Sequence, residues 1–208
     1  MREIIFATGN AHKMEEIRMI LGEKQGEFQI LSQKEAGIFV DVVEDGQTFE
    51  ENAIIKARAV AKEAHKRYPK AIVLADDSGL EIDYLGGEPG IYSARYLGED
   101  TSYDKKNRVI LERLAKAEPS QRTARFVCAI AAVFPNKEQE VVRGTMEGRI
   151  AQEIAGENGF GYDPIFFLPE YGCTSAQLSP EKKNSLSHRG VGLRKMRQIL
   201  EEREGAKE

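Results

Sequence analysis

The most informative stretch of the sequence is Leu74-Ala75-Asp76-Asp77-Ser78-Gly79-Leu80, where an apolar run is followed by two adjacent carboxylates, a hydroxyl and a glycine. The apolar residues 71–75 predict a buried strand that carries Asp76 and Asp77 to the edge of a sheet. Ligands of open α/β sheets bind at the carboxyl ends of the strands, so this edge is the expected place for a metal ion. A polar turn is the alternative interpretation, because Asp, Ser and Gly are also ordinary turn residues. The motifs in the rest of the chain decide between the two.

Strand and helix patterns alternate on both sides of this stretch. On its amino-terminal side they predict strands over 2–7 and 28–31, a helix over 11–21 with Gly22 as its C-cap, and a helix from Thr48 that Pro69 ends. On its carboxyl-terminal side they predict a helix opened by residues 101–104, paired strands over 125–134 and 139–147, a helical segment from Ser179, a break at 187–190 and a last helix over 191–202. This alternation predicts an α/β protein built on a central sheet.

The composition indicates a single domain over residues 1–208, with a frayed tail expected at 204–208. Of the 208 residues, 41% are hydrophobic, which is enough for a sizeable core. The 30 Lys and Arg nearly balance the 34 Asp and Glu, which argues against a basic face for nucleic acid. No run resembles a signal peptide or a membrane helix, so we expect a cytoplasmic protein that binds no membrane. Cys128 lies in an apolar run and is expected to be a reduced core residue.

The loop Thr8-Gly9-Asn10, between the first strand and the first helix, is a candidate phosphate cradle. Such a loop directs backbone N–H groups and the positive end of a helix dipole at one point. Lys13 would add a cation there, whereas His12 is expected to be a solvated helix residue. The loop lacks the Gly-Lys-Ser/Thr ending of a Walker loop and any G-x-G-x-x-G, so a structural turn between strand and helix is the alternative.

An acidic loop over residues 40–46 precedes a helix whose start has the capping-box spacing of Thr48 and Glu51. Capping accounts for Glu51, although a metal ligand is the other interpretation of this residue. Glu44 has no such structural duty and is therefore the better carboxylate to bring towards a cation. Lys56, early on the same helix, is expected either to be solvated or to face an anion.

A second unusual stretch is the glycine-rich loop Gly159-Phe160-Gly161-Tyr162-Asp163-Pro164. Its glycines allow the backbone to approach a flat ligand while one of two exposed aromatic rings stacks on it. A nucleobase slot and a hairpin turn anchored by core aromatics are both compatible with this pattern. Further along, Lys183, His188 and Arg189 gather donors near one break: Lys and Arg suit phosphate oxygens, and His suits a carbonyl or a phosphate.

Together, a phosphate cradle, acids, an aromatic loop and a Lys/His/Arg cluster indicate a nucleoside triphosphate site. Mg²⁺ prefers oxygen ligands and takes only one or two protein carboxylates in such sites, with water and phosphate completing its shell. The sequence offers no Ser-His-Asp set and no activated Cys, so water is the expected nucleophile and Asp77 its proton acceptor. A non-catalytic nucleotide sensor is the competing hypothesis, and it leaves Asp76-Asp77 beside Ser78 without a purpose.

Several blocks of the sequence resemble the signature blocks of the inosine triphosphate pyrophosphatase family. In chain order they are Thr8-Gly9-Asn10 with Lys13, Thr48-Phe49-Glu50-Glu51-Asn52-Ala53, Ala75-Asp76-Asp77-Ser78-Gly79-Leu80, Gly86-Gly87 with Pro89-Gly90, Tyr92-Ser93-Ala94-Arg95, Gly159-Phe160-Gly161-Tyr162-Asp163-Pro164 and Ser187-His188-Arg189. The blocks keep the family order from residue 8 to residue 189 and so cover nearly the whole chain.

The resemblance implies an α/β homodimer with a long mixed central β-sheet, flanking helices and two lobes around an active-site cleft. It implies Mg²⁺-dependent hydrolysis of ITP, dITP and XTP to the monophosphate and pyrophosphate, which removes deaminated purines from the nucleotide pool. Glu44 and Asp77 would hold the Mg²⁺ ion, and Asp77 would also accept the proton. Asp45, Glu50 and Glu51 remain open as alternatives to Glu44. The substrate-binding residues would be Thr8, Gly9, Asn10, Ala11, His12, Lys13, Ser78, Phe160, Gly161, Tyr162, Asp163, Lys183, His188 and Arg189.

Selectivity for the base has a physical basis of its own. Hypoxanthine and xanthine carry a 6-keto acceptor where adenine carries an amino donor, so a site that presents donors there leaves a buried mismatch with ATP. His188 and backbone N–H groups are the candidate donors. A pyrophosphatase for other modified nucleotides, such as pyrimidines, is the remaining alternative.

Overall fold

The computed structural model describes residues 2–22 and 28–205, and the chain divides into two compact units. Unit 1 comprises residues 1–77, 128–144 and 188–208, and unit 2 comprises residues 78–127 and 145–187. The first division falls between Asp77 and Ser78, so the chain passes from one unit to the other inside the Asp-Asp-Ser-Gly motif.

The described residues contain the strands β1 (Arg2–Phe6), β2 (Phe28–Ser32), β3 (Ile72–Ile82), β4 (Thr123–Val133), β5 (Gln139–Ile150), β6 (Phe166–Leu168) and β7 (Cys173–Thr174). The α-helices there are α1 (Ala11–Leu21), α2 (Phe49–Arg67), α3 (Tyr103–Arg113), α4 (Pro180–Leu186) and α5 (His188–Gly205). Every strand and helix predicted from the sequence is present. Of the tail expected at 204–208, the first two residues continue α5, and 206–208 lie outside the described residues. Among the described helices, none has the length and apolar character needed to cross a lipid bilayer.

The strands form a seven-stranded sheet in the order β2-β1-β3-β4-β5-β6-β7. β1 is parallel to both of its neighbours, with Ile4 opposite Ile30 in β2 and opposite Ile72 in β3. β6 is antiparallel to β5 and to β7. The sheet is therefore mixed, and the predicted α/β fold class is confirmed. The predicted pairing of the two strands around residue 136 is also found, since β4 and β5 are neighbours.

The two central acids do not lie where the sequence placed them. β3 runs without interruption from Ile72 to Ile82, so Asp76 and Asp77 lie in the middle of a strand instead of at its end. The alternative of a polar turn is wrong as well. Residues 72–77 are all buried. Burying two carboxylates costs a large free energy unless each has polar partners. Successive side chains of a strand point to opposite faces, so the two carboxylates meet different surroundings.

Side-chain caps fix where α1 and α2 begin, beside two of the predicted motifs. Asn10 Oδ1 accepts a hydrogen bond from Lys13 N at 3.1 Å, and Thr48 Oγ1 accepts one from Glu51 N at 3.1 Å. The Glu51 carboxylate accepts a hydrogen bond from Gln47 N at 2.7 Å, one residue before the position that a capping box uses. The structural interpretation of Glu51 is thereby supported.

α5 begins at His188, whereas the sequence predicted a break over residues 187–190. Only Ser187 separates α4 from α5, with an extended backbone at φ −61° and ψ 150°. His188 and Arg189 therefore lie in the first turn of α5. Gly144 of β5 allows this turn to come close, since a Cβ there would lie 2.2 Å from the His188 carbonyl oxygen.

Each unit has an apolar core of its own. In unit 1, α1 packs against α5, and Ile17 and Leu193 join Leu74 of β3 in the core. Cys128 is fully buried in the same core, as predicted. In unit 2, Ile110 of α3 and Phe166 of β6 belong to a second core. The burial of one apolar face of the sheet and of each helix accounts for most of the stabilising free energy in a fold of this kind.

Candidate active site

The loop after β1, for which the sequence predicts a phosphate cradle, leads directly into α1. Thr8 Oγ1 accepts a hydrogen bond from Asn10 N at 3.1 Å, and Asn10 caps α1, so the polar side chains of the loop fix its own backbone. Gly9 is exposed, and a Cβ added to it would meet no atom within 4 Å. Open space above the backbone N–H groups at a helix start suits a phosphate.

Ala11 and His12 form the exposed first turn of α1. The His12 side chain is 69% exposed, and its Nδ1 lies 3.9 Å from Glu15 Oε2. This is the solvated position that the residue pattern predicted. A contact of either residue with substrate stays a prediction.

Asp76 is the centre of the first polar cluster of unit 1. Its two carboxylate oxygens lie 3.2 and 3.0 Å from Lys13 Nζ, and Arg189 donates to Oδ2 from Nε and Nη2 at 3.3 Å. Arg189 Nη1 donates to the buried Glu16. Burial by itself raises the pKa of Asp76, but the charges of Lys13, Arg189 and Lys56 outweigh it and hold that pKa below its ordinary value. Asp76 is therefore ionised, and it connects Lys13, in the first turn of α1, to Arg189 of α5.

Arg189 is almost completely buried, at 2% exposure. Burial opposes its charge, yet the charges of Asp76 and Glu16 raise its pKa above the ordinary value. The structure thus gives Arg189 the role of supporting Asp76, and a direct contact with substrate stays a prediction. The neighbouring His188 is 7% exposed.

Asp77 is the centre of the second cluster. It is 8% exposed, and its Oδ2 accepts a hydrogen bond from Asn52 Nδ2 at 3.1 Å. Burial is the largest cause that raises the pKa of Asp77, and the charge of Glu44 acts in the same direction. Lys56 and the hydrogen bond from Asn52 lower that pKa without cancelling the rise. A carboxyl group with a raised pKa in a polar cluster is suited to accept a proton.

Lys56 of α2 joins the two clusters. Its Nζ lies 3.0 Å from Glu44 Oε1 and donates to the backbone carbonyl oxygen of Asp76 at 3.0 Å. The side chain is only 16% exposed. Of the two options left by the sequence, the lysine that faces an anion is the one observed, and that anion is Glu44.

Glu44 and Asp77 have the donor chemistry of a Mg²⁺ site. The negative charge of Glu44 repels that of the Asp77 carboxylate and so raises its pKa. A divalent cation bound by both carboxylates would offset this repulsion. Glu44 is favoured because its charge acts on Asp77. Glu50 and Glu51 lie in the first turn of α2, where Glu50 pairs with Arg143 at 3.1 Å and Glu51 accepts a hydrogen bond from Gln47 N at 2.7 Å. The described residues contain no group of three or more His, Cys, Asp and Glu side chains placed for a metal ion, and Mg²⁺ with a phosphate ligand needs only one or two carboxylates.

In unit 2, the glycine-rich loop folds around the carboxylate of Asp163. Asp163 Oδ2 accepts a hydrogen bond from Phe160 N at 2.9 Å. Gly159 has a φ of +77°, and a Cβ on it would lie 2.3 Å from Asp163 Oδ2, so both backbone conformation and close approach require glycine. The loop is therefore built on a polar anchor.

Lys183 forms a buried ion pair with Asp163, with 2.7 Å between Nζ and Oδ2. Lys183 Nζ also lies 5.0 Å from the centre of the Phe160 ring, and Ser175 Oγ donates to Asp163 Oδ1 at 2.7 Å. Phe160 is half-buried. Lys183 of α4 and the partly exposed Phe160 ring of the loop are held close together by Asp163, and a cation beside an aromatic ring suits the recognition of a flat polar ring.

Tyr162 anchors this loop to the segment that contains Ser93. It is 4% exposed, and its hydroxyl donates to the backbone carbonyl oxygen of Ser93 at 2.7 Å. The expectation of two exposed rings is wrong for Tyr162, and its contact with substrate stays a prediction. Asn107 of α3 donates from Nδ2 to the Gly161 carbonyl oxygen at 3.1 Å. Ser78, half-buried in β3, directly follows Asp77.

Sequence reasoning missed the polar residues that support these clusters. They are Glu16 of α1, Asn52 of α2, Asn107 of α3 and Ser175, all buried. A signal was present for the three helical residues, because each occupies an inward position of an amphipathic helix, where a polar side chain is costly without a partner. Ser175 gave no signal, since it begins a 3-10 helix of only three residues, Ser175–Gln177, which is too short to show a periodic pattern.

The mixed sheet and its helices define an α/β protein. Unit 1 has a helix start suited to phosphate and two buried acids beside a lysine, and unit 2 has an aromatic loop held by an ion pair; each of these features is typical of nucleotide-binding proteins. The model of the Ham1 family matches residues 4–199. The chain belongs to the Ham1 family, and the family resemblance noted in the sequence is confirmed.

Relatives match over nearly their full length. The dITP/XTP pyrophosphatase of Clostridium perfringens (strain 13 / Type A) is 48% identical, covering 96% of this chain and 98% of that protein. The dITP/XTP pyrophosphatase of Bacillus subtilis (strain 168) is 47% identical, covering 97% and 98%. The structure of a HAM1 protein from Coxiella burnetii has a TM-score of 0.85 at 41% identity, covering 97% of this chain and 100% of that one.

Proposed function

We propose that this protein hydrolyses the non-standard purine nucleoside triphosphates ITP, dITP and XTP to the monophosphate and pyrophosphate. The observation that carries the proposal is the pair Asp76 and Asp77. The Asp76 carboxylate holds Lys13 at the start of α1, and the buried Asp77 carboxylate accepts a hydrogen bond from Asn52 at 3.1 Å and is subject to the charge of Glu44. The names of the two relatives, dITP/XTP pyrophosphatases, support the substrate class. Such an activity would remove deaminated purines from the nucleotide pool.

In unit 1, the backbone N–H groups at the start of α1 would bind triphosphate oxygens, as helix N-termini commonly do. Lys13, held by Asp76, would neutralise part of the phosphate charge. The positions of Thr8 and Asn10 in the loop are fixed by their own hydrogen bonds, so little order would have to be gained on binding.

Glu44 and Asp77 would hold a Mg²⁺ ion. Bound there, Mg²⁺ would stabilise the negative charge that develops on the phosphate oxygens. Asp77 would accept a proton from the attacking water as the water oxygen bonds to the α-phosphorus. The bond from the α-phosphorus to the bridging oxygen breaks in the same displacement, and pyrophosphate leaves with the electron pair. Burial and the charge of Asp76 raise the pKa of Cys128 to about 12, so this thiol does not compete as nucleophile.

In unit 2, Phe160 would stack on the purine ring, and the buried pair of Lys183 and Asp163 would supply polar contacts. The donor that distinguishes the 6-keto group from the amino group of adenine would be His188 or a backbone N–H. Exclusion of ATP then follows from an unpaired buried donor.

We also propose that the protein is a cytoplasmic homodimer. Unit 2 exposes large side chains that suit an interface: Tyr92 is 57% exposed, with Arg95 stacked 5.1 Å from its ring centre, and Leu97 is 46% exposed. Size-exclusion chromatography with light-scattering detection is expected to give twice the mass of one chain. A single-chain mass across the micromolar range would contradict the dimer.

The activity is tested by pyrophosphate release from ITP, dITP, XTP, GTP, ATP and a modified pyrimidine triphosphate, each with and without Mg²⁺, with products separated by chromatography. We expect Mg²⁺-dependent release of pyrophosphate and monophosphate from the first three. Inosine diphosphate and phosphate as products would contradict cleavage at the α-β bond. Tight ITP binding without product would favour the nucleotide sensor, and a higher kcat/KM for the pyrimidine would favour the related pyrophosphatase.

A further inference from the structure

α2 presents two polar side chains to the two candidate metal ligands. Asn52 and Lys56 are four residues apart and so lie on one face of the helix. Lys56 Nζ contacts Glu44 at 3.0 Å, and Asn52 Nδ2 donates to Asp77 Oδ2 at 3.1 Å. Asn52 is 1% exposed, and an amide in such a place costs free energy unless both of its polar atoms are paired.

The other end of the Asn52 amide holds the acidic loop. Gly46 N donates to Asn52 Oδ1 at 2.9 Å, two residues after Glu44 in the chain. Because a backbone N–H can only donate, the amide oxygen must face the loop and the amide nitrogen must face Asp77. An Asp at position 52 would match the shape but would offer Asp77 a second negative charge in place of a donor.

Gly46 packs directly against this amide. A Cβ at position 46 would lie 2.7 Å from Asn52 Oδ1 and 2.8 Å from Glu51 Cβ. The missing side chain therefore lets the loop come close enough for the hydrogen bond. One buried amide thus connects the loop that carries Glu44 to the carboxylate of Asp77.

We propose that Asn52 is a positioning residue that sets the separation of Glu44 and Asp77 and the direction of the Asp77 carboxylate, so that a divalent-cation site exists before substrate binds. The proposal rests on the proposed function, in which these two carboxylates hold Mg²⁺. A hydrogen bond to one oxygen of a carboxylate fixes where the other points, and loss of such support typically weakens metal binding by about 10–100-fold.

The test is a titration of the substrate-free protein with Mn²⁺, in which electron paramagnetic resonance measures the free Mn²⁺. It compares the wild type with Asn52→Ala and Thr48→Ala. Asn52→Ala is expected to weaken Mn²⁺ binding by about tenfold or more. The Mg²⁺ concentration that gives half-maximal pyrophosphate release from ITP should rise by a similar factor. Thr48→Ala is the matched control: it removes a 3.1 Å hydrogen bond from the same helix turn without touching Asp77, and should lower Tm while leaving Mn²⁺ affinity unchanged.

Mn²⁺ binding by Asn52→Ala with wild-type affinity would overturn the proposal. If that variant does not fold, Gly46→Ala is the test, since its added methyl group displaces the loop from the Asn52 amide; unchanged Mn²⁺ affinity in Gly46→Ala would then overturn it. A wild-type protein that binds Mn²⁺ in this Asn52-dependent way but does not hydrolyse ITP leaves the proposal standing and removes the proposed function. If the wild type hydrolyses ITP but binds no Mn²⁺ without substrate, the cation site is not preformed. That result overturns this proposal and leaves the proposed function standing.

Discussion

Asp76 and Asp77 are neighbours in one strand, yet the two faces of β3 give them opposite chemistry. On one face, the charges of Lys13 and Arg189 outweigh the cost of burial and hold the pKa of Asp76 below its ordinary value. On the other, burial and the charge of Glu44 raise the pKa of Asp77. The first carboxylate is fixed as an anion, whereas the second is prepared to take up a proton or a cation.

The difference shows that surroundings, and not residue type, assign the roles. Two groups of the same kind whose pKa values are pushed apart are a recurrent sign of divided labour in active sites. A strand achieves the division simply, because adjacent side chains point to opposite faces. Substitutions of Asp76, Asp77 and Lys56 test whether the two faces are as different as the contacts indicate.

Asp76→Asn is expected to have the largest effect on stability. It removes the carboxylate that pairs with Lys13 and Arg189, and breaking a buried ion pair typically costs about 3–5 kcal/mol. Urea unfolding followed by circular dichroism measures the loss. Glu63→Gln is the control, because its pair with Lys66 is 40% and 64% exposed and should contribute less than about 1 kcal/mol. Equal losses in the two variants would show that the Asp76 cluster is not a structural anchor.

Lys56→Gln tests the link between the faces. Lys56 lowers the pKa of Asp77, so its removal should raise that pKa and move the acidic limb of the pH profile of kcat/KM to higher pH. Lys62→Gln, an exposed position on the same helix, should leave the profile unchanged. A limb that does not move, or that moves to lower pH, contradicts the assignment of Asp77.

Asp77→Asn is expected to raise Tm slightly in the absence of Mg²⁺. Because the folded protein binds the Asp77 proton more tightly than the unfolded chain does, ionising this residue costs stability. The cost is absent below the ordinary carboxyl pKa of about 4 and grows as pH rises to the raised value. At pH 7.5 the variant should melt higher than the wild type, by on the order of 2 °C, and at pH 4 the two should melt together. A lower Tm at pH 7.5 would contradict the raised pKa.

The sequence was sufficient for the parts of the fold that depend on local pattern. The helix over 11–21 was predicted to the residue because Asn10, the apolar spacing and Gly22 all act within a few residues of each other. The start of α2 after its N-cap Thr48 followed from the capping spacing in the same way. The motifs around Thr8, Asp77 and Gly159 were also identified from residue type and order, since these are local properties.

The remainder depended on contacts between distant residues. β3 passes through Asp76 and Asp77 because Lys13, Asn52 and Arg189, far away in sequence, provide their partners. The early start of α5 likewise depends on Gly144, whose missing side chain admits the first turn. The residues next to a carboxylate in the chain indicate that burying it is unfavourable. They do not show which distant residues will pair with it and offset that cost.

The most direct test of the divided roles is the kcat for pyrophosphate release from ITP by Asp77→Asn at saturating Mg²⁺, with the fold of the variant checked by circular dichroism. Removing a proton acceptor typically costs about 100-fold to 10,000-fold in rate, and we expect a loss of at least about 100-fold in a fully folded variant. A kcat within about tenfold of the wild type would contradict the account, because that loss is smaller than a proton acceptor contributes.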